Sequence, residues 1–176
     1  MLLKLSPVLL CLLMPGYALC QEYDSPLGKG KKNKDFCLRT ELGWNKSWFT
    51  SLGASYVYSN VNGHAPVSMV VYAAAEANLA GYRSPSAFYA YKAGFETGGT
   101  PFALGLEFRN NTDFAGKDQF VFTPKLGITL AGYANLFYGY NLFDKANNTF
   151  GINHSQLSLN VNLNRKLFKG SIVPGD

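Results

Sequence analysis

The chain offers little that could make or break a bond. Its only histidines are His64 and His154. A nucleophile needs a base within hydrogen-bond distance. His154 and Ser155 are adjacent, but neighbouring residues of an extended strand point to opposite faces. His64 falls in another turn, at the other end of the strands. No Cys/His cluster has metal-ligand spacing, and no glycine-rich loop matches a phosphate cradle, so neither metal nor cofactor is expected. Asn45-Lys46-Ser47, Asn110-Asn111-Thr112, Asn147-Asn148-Thr149 and Asn153-His154-Ser155 are formal glycosylation sequons. All lie in or beside asparagine-rich turns, which generate such matches by chance. What remains is a set of matched charges: Arg39, Lys92, Arg109 and Lys125 against Glu41, Glu76, Glu96 and Glu107.

Those charges must be positioned by strands. Eight segments have strand character: 36–45, 48–59, 68–80, 87–97, 101–110, 119–130, 133–143 and 155–167. The third, "VVYAAAEANLAGY", would suit a helix as well, since Ala73, Ala74 and Ala75 blur the two-residue period. A strand is expected there, because a lone helix would leave seven strands and an unpaired edge. The connections are "NKS", "NVNGHAPV", "GYRSPS", "TGGT", "NNTDFAGKD", "AG" and "DKANNTFGINH". Alternate connections fall at the same end of an up-and-down barrel, so the two longest share one end and the tight "TGGT" and "AG" turns share the other.

The closing segment, "HSQLSLNVNLNRKLF", shows the alternation best. Leu157, Leu159, Val161 and Leu163 take one face, and Gln156, Ser158, Asn160, Asn162 and Asn164 the other. Sorted by the same parity, one face of the remaining strands collects large apolar residues, among them Leu38, Leu42, Leu52, Leu106, Leu126 and Ile128. Its aromatics gather near strand ends: Trp44, Trp48, Tyr89, Tyr91, Phe108, Phe120 and Tyr140 at one, and Phe36, Tyr56, Tyr58, Phe95 and Phe102 at the other. The opposite face carries the eight charges with Asn78, Gln119, Thr123, Asn135 and Asn141. Eight strands scarcely enclose room for some twenty large apolar side chains. Placing the polar face inside lets four cations meet four anions, as buried charges must. The expectation is therefore an all-β fold, an eight-stranded antiparallel up-and-down transmembrane β-barrel with its apolar face outward.

This pattern resembles the small eight-stranded outer-membrane proteins of Gram-negative bacteria, which include the membrane domain of outer membrane protein A. The resemblance covers 36–168 and rests on pattern rather than motif. It implies a multi-pass barrel in the outer membrane with both termini in the periplasm. Such barrels usually finish on an aromatic residue; Phe168 would serve, but "KGSIVPGD" follows it. Outer-membrane lipid A deacylases resemble the chain only as barrels. Their His and Ser lie two apart on one face, unlike His154 and Ser155.

The rest of the chain fits that place. The segment 1–20, "MLLKLSPVLLCLLMPGYALC", has a basic Lys4, an apolar stretch too short to span a membrane and small residues near its end, as a secretory signal does. Cys20 invites acylation, although Leu19 departs from the small residue a lipobox wants. With Cys11 and Cys20 removed, Cys37 is alone and no disulfide framework follows. Residues 21–35 read as a basic periplasmic segment and 169–176 as a C-terminal tail. The net charge of +5 is concentrated at Lys29, Lys31, Lys32 and Lys34. No aromatics interleave with these lysines, so nucleic acid is not an expected partner. A solvated linker and an attraction to anionic headgroups, at about 1 kcal/mol per basic residue, both remain open.

Three functions suit such a barrel: an accessory, scaffold or binding subunit without catalysis, a narrow gated ion or solute channel, or, least well supported, a lipid-modifying enzyme. The third strand offers Val71, Ala73, Ala75 and Ala77 where other strands offer Leu, Phe or Tyr. With Ala54 and Ala93 these form a candidate face for another outer-membrane protein or a second copy, because small residues let a neighbouring backbone approach. Outer-membrane lipid is the partner expected elsewhere.

Overall fold

The structure is a computed structural model that describes residues 31–62, 65–79, 87–99, 101–130, 133–144, 146 and 148–163. Eight strands follow in chain order: β1 (Lys31–Asn45), β2 (Ser47–Asn62), β3 (Ala65–Asn78), β4 (Phe88–Gly99), β5 (Phe102–Thr112), β6 (Asp118–Leu130), β7 (Ala134–Tyr140) and β8 (Ser155–Leu163). Each pairs antiparallel with its sequence neighbours, and β1 closes on β8 from Leu38↔Leu163 to Trp44↔Leu157. The fold is an all-β, up-and-down, closed eight-stranded barrel. Closure leaves no edge along the described β1–β8 ladder.

The alanine-rich third segment is a strand throughout. β3 is hydrogen-bonded on both sides, to β2 from Phe49↔Asn78 onward and to β4 from Val67↔Gly99 onward. Two full ladders outweigh the few tenths of a kcal/mol per residue by which alanine favours a helix.

Several strand boundaries differ from expectation, and two of them have a clear physical reason. β1 begins at Lys31, not 36, so part of the basic segment 21–35 belongs to the sheet, with Lys31–Asp35 paired to Val57–Val61. Ladder bonds are made by the backbone and do not require apolar side chains. Here the register also turns Asp35 inward and leaves Lys34 exposed. β7 stops at Tyr140 rather than 143, because Asn141 turns to bond the returning loop while Leu142 keeps only an isolated bridge to Phe122. His64, Phe168 and the flanking segments 1–30 and 164–176 lie outside the described residues.

Inside and outside are inverted relative to a water-soluble barrel. Phe36, Leu52, Tyr91, Phe102, Phe120 and Leu126 are more than half exposed, whereas Arg39, Glu107, Asn141, Asn160 and Asn162 are fully buried. β5 alternates strictly between exposed and buried from Phe102 to Asn111.

The β1–β2 hairpin turns on a single residue, Lys46, whose φ of 63° is uncommon outside glycine. Its ammonium donates to the carbonyl of Gly151 at 2.8 Å, so the turn and the long β7–β8 loop are tied together.

Candidate functional site

The lumen is the candidate site, and it has three layers. The middle layer holds the eight charges, each in at least one ion pair. Arg39 on β1 reaches across the lumen to Glu96 on β4, with Nη2 2.5 Å and Nη1 3.2 Å from its carboxylate oxygens. Lys92 on β4 crosses the other way to Glu41 on β1 and donates to Glu76 on β3 at 2.8 Å. Arg109 on β5 meets Glu76 at 3.2 Å and Asn141 at 2.9 Å. Lys125 on β6 donates to Glu107 on β5 at 2.8 Å and lies 3.6 Å from Glu96. Crossing pairs between β1 and β4 brace opposite walls, which neighbouring-strand pairs cannot do.

Tyr72 on β3 sits at the centre of this layer. Its hydroxyl donates to Glu107 at 2.7 Å and accepts from Lys125 at 2.8 Å, while the Arg39 guanidinium lies 3.7 Å from its ring centroid. Gly94 on β4 makes the room: a Cβ there would stand 2.5 Å from the Tyr72 hydroxyl. Phe49 and Phe137 add rings about 5 Å from the Lys92 and Lys125 ammonium groups, close enough for cation–π attraction. Asn160 joins the layer with its amide turned so that Nδ2 donates to Glu41 at 3.0 Å and Oδ1 accepts from Arg39 at 2.8 Å.

Apolar clusters close both sides of the charged layer. At the end where β1 begins and β8 finishes, Cys37, Val57 and Val70 are buried together, and Tyr133 of the β6–β7 turn packs on them. The Tyr133 hydroxyl donates to Asp35 at 2.6 Å. Burial, reinforced by that carboxylate, pushes the phenol well above its ordinary value of 10. At the other end, Phe88, Val121 and Ile152 form a cluster joined by Phe143 and Phe150.

Ile152 belongs to the β7–β8 loop, which is folded over the barrel mouth and held there. Asn153 donates its backbone N–H to Asn45 at 2.9 Å, and Phe150 stacks on Phe88 at 4.7 Å. His154 is stacked between Tyr140 and Phe143, at 5.4 and 4.7 Å.

The structure separates the one candidate nucleophile from its neighbour. Ser155 shares a hydrogen bond with the Tyr138 hydroxyl at 2.9 Å, while His154 Nδ1 faces the carbonyl of Asn141 at 2.9 Å. Among the described residues no group of three or more His, Cys, Asp or Glu could hold a metal ion.

Ala54, Ala73 and Ala93 of the candidate partner face are brought side by side on β2, β3 and β4, directly opposite one another in the register. Val71, Ala75 and Ala77 continue the face along β3, on the outside of the barrel.

Sequence reasoning did not single out Tyr72 or the two apolar clusters. Parity does carry a signal for them. Tyr72 is in step with Glu76 and Asn78, and Phe49, Val57, Val70 and Val121 are likewise in step with polar neighbours. An apolar residue out of step with its face marks a cap or a filler of the lumen.

Fold and lumen together define a class: closed eight-stranded barrels with a charged, internally paired core and an apolar outer face. Comparison with known proteins found no matching family model, curated protein or solved structure.

Proposed function

We propose that this protein is an integral barrel of a Gram-negative outer membrane, with the β7–β8 loop outside and both termini periplasmic. In this reading it has no catalysis of its own and acts as an accessory, scaffold or binding component of the membrane. One observation carries the membrane reading: the polarity is inverted around the whole barrel, with exposed Leu, Phe, Tyr and Trp outside and ion pairs inside. In water such a surface would far exceed the apolar patches that soluble monomers tolerate. In lipid it faces its proper solvent.

The accessory role is supported by the sealed lumen. Apolar clusters stand above and below the charged layer, and each of that layer's eight charges is paired, which disfavours the alternative of a narrow gated channel. The outer wall and the loop-bearing mouth are then the surfaces through which the barrel meets other molecules. The signal-like segment 1–20 supports export.

The deciding experiment is fractionation combined with gel mobility. An outer-membrane barrel stays with membranes through alkaline carbonate, and its unboiled band shifts on heating. Recovery of the native protein in the soluble periplasm would overturn the proposal. Planar-bilayer recording of the purified chain should show no steps; stable unitary conductance would replace the accessory reading with the channel.

A further inference from the structure

The outer wall is not uniform. Along β3 the outward side chains from Val71 to Ala77 are small, and they form a low floor. β2 raises Tyr56 and Leu52 on one side of it, and β4 raises Phe95, Tyr91 and Tyr89 on the other. Between these walls the row Ala54–Ala73–Ala93 is the lowest point. Six residue steps at about 3.3 Å make the trough about 20 Å long, comparable to an extended long acyl chain. At the end where β1 begins and β8 finishes it opens into a groove of about 330 Å³, lined by Lys34, Tyr56, Tyr58, Met69, Val71 and Phe95.

We infer that this trough and groove bind one glycerophospholipid with an anionic headgroup, drawn from the leaflet at the end where β1 begins and β8 finishes. The inference rests on the barrel lying in a membrane. Its polarity is that of an amphiphile: apolar along the trough, with Lys34 the one charge that lines the open end among the described residues. Among the described residues the carboxylates of this half of the barrel are elsewhere, since Asp35, Glu41, Glu76, Glu96 and Glu107 all point into the lumen and are buried. A phosphate at headgroup depth supplies the missing negative charge without burying an acidic side chain in lipid. The aliphatic stem of Lys34 lets its ammonium reach that depth, and the hydroxyls of Tyr56 and Tyr58 provide donors beside it.

A second copy fits less well. A two-fold axis along the membrane normal would place both Lys34 residues at the same depth, like charge towards like charge. A lipid chain also matches a narrow trough walled by aromatic rings better than a second curved wall does.

Native mass spectrometry of the delipidated full chain tests this, with palmitoyl-oleoyl phosphatidylglycerol and phosphatidylcholine as paired probes. One phosphatidylglycerol should be retained per chain, about five-fold in preference to phosphatidylcholine. Lys34→Gln should abolish the preference. Ala75→Phe, which fills the trough, should weaken both lipids. Heat-shifted gel mobility identifies any variant that fails to fold, in which case Ala73→Phe takes its place. Equal retention of the two lipids by the unaltered chain would overturn the inference. So would disulfide-linked dimers of Ala73→Cys without any lipid adduct. Flotation with phosphatidylcholine vesicles separates the two readings. A chain that floats but shows no preference loses only the lipid site, and one that does not float loses the membrane as well.

Discussion

The guanidinium of Arg39 lies against the ring of Tyr72, 3.7 Å from its centroid, while the Tyr72 hydroxyl bridges Lys125 and Glu107. One aromatic side chain from β3 thus connects a cation of β1 with an ion pair of β5 and β6. Tyr72→Phe keeps the stacking and removes the bridge, leaving Glu107 Oε2 with Lys125 in place of two donors. A loss of about 1–3 kcal/mol is expected. Tyr72→Leu should cost more, because the Arg39 stacking goes too. Urea unfolding of the barrel in vesicles, followed by tryptophan emission, measures both.

The Arg39–Glu96 pair spans the lumen, and both side chains are buried. Glu96→Gln strands the buried Arg39 guanidinium, at a cost of about 3–5 kcal/mol, and Arg39→Met should cost less because Lys125 stays 3.6 Å from Glu96. The double variant should recover much of that, since neither charge is then left unpaired. Heat-shifted gel mobility across a temperature series ranks the three. Equal losses in the single and double variants would show that the pair is not coupled.

Asn111 and Gln156 are buried, and neither the oxygen nor the nitrogen of either amide has a hydrogen-bond partner among the described residues. Such groups lose their hydration without compensation. Asn111→Leu and Gln156→Leu should therefore leave stability unchanged or raise it by about 1 kcal/mol. A loss above about 2 kcal/mol would mean that these amides satisfy a requirement beyond packing.

The mouth is closed by Ile152 and Phe150 packed on Phe88 and Val121. Ile152→Ser together with Phe150→Ser should loosen the loop, seen as faster protease cleavage between β7 and β8. Planar-bilayer conductance should stay absent, because the charged layer and the Cys37–Val57–Val70 cluster remain. Opening of ion steps in this variant would make the loop the sole barrier.

Tyr133 resists ionisation in the folded turn because burial and Asp35 both favour the neutral phenol. Its folded value lies above the unfolded 10, so its contribution is complete below pH 10 and is lost as pH rises beyond it. Tyr133→Phe should lower stability at pH 8 through the lost hydrogen bond, yet weaken the decline above pH 10. Parallel unfolding curves at pH 8 and pH 10.5 give the comparison.

Parity alone was enough to sort this chain into a polar and an apolar face, because strand side chains alternate whatever the barrel's detailed shape. Charge matching then told which face is inside, since eight charges of two signs can be buried only together. The strand count and the shared end of the two longest loops also followed from local residues. What residues in isolation could not supply is which charge meets which. Arg39 finds Glu96 and Lys92 finds Glu41 across the lumen, at heights set by the stagger of eight strands around a closed ring. The pairing of neighbouring strands in the barrel made a strand of the alanine-rich β3, whose local preference is ambiguous, and drew Lys31–Asp35 against β2. Closure also gathered Phe88, Val121 and Ile152, distant in sequence, into a lid. Backbone pairing is cooperative and long-range, so these outcomes belong to the tertiary structure, whereas the two-residue alternation is written in each strand separately.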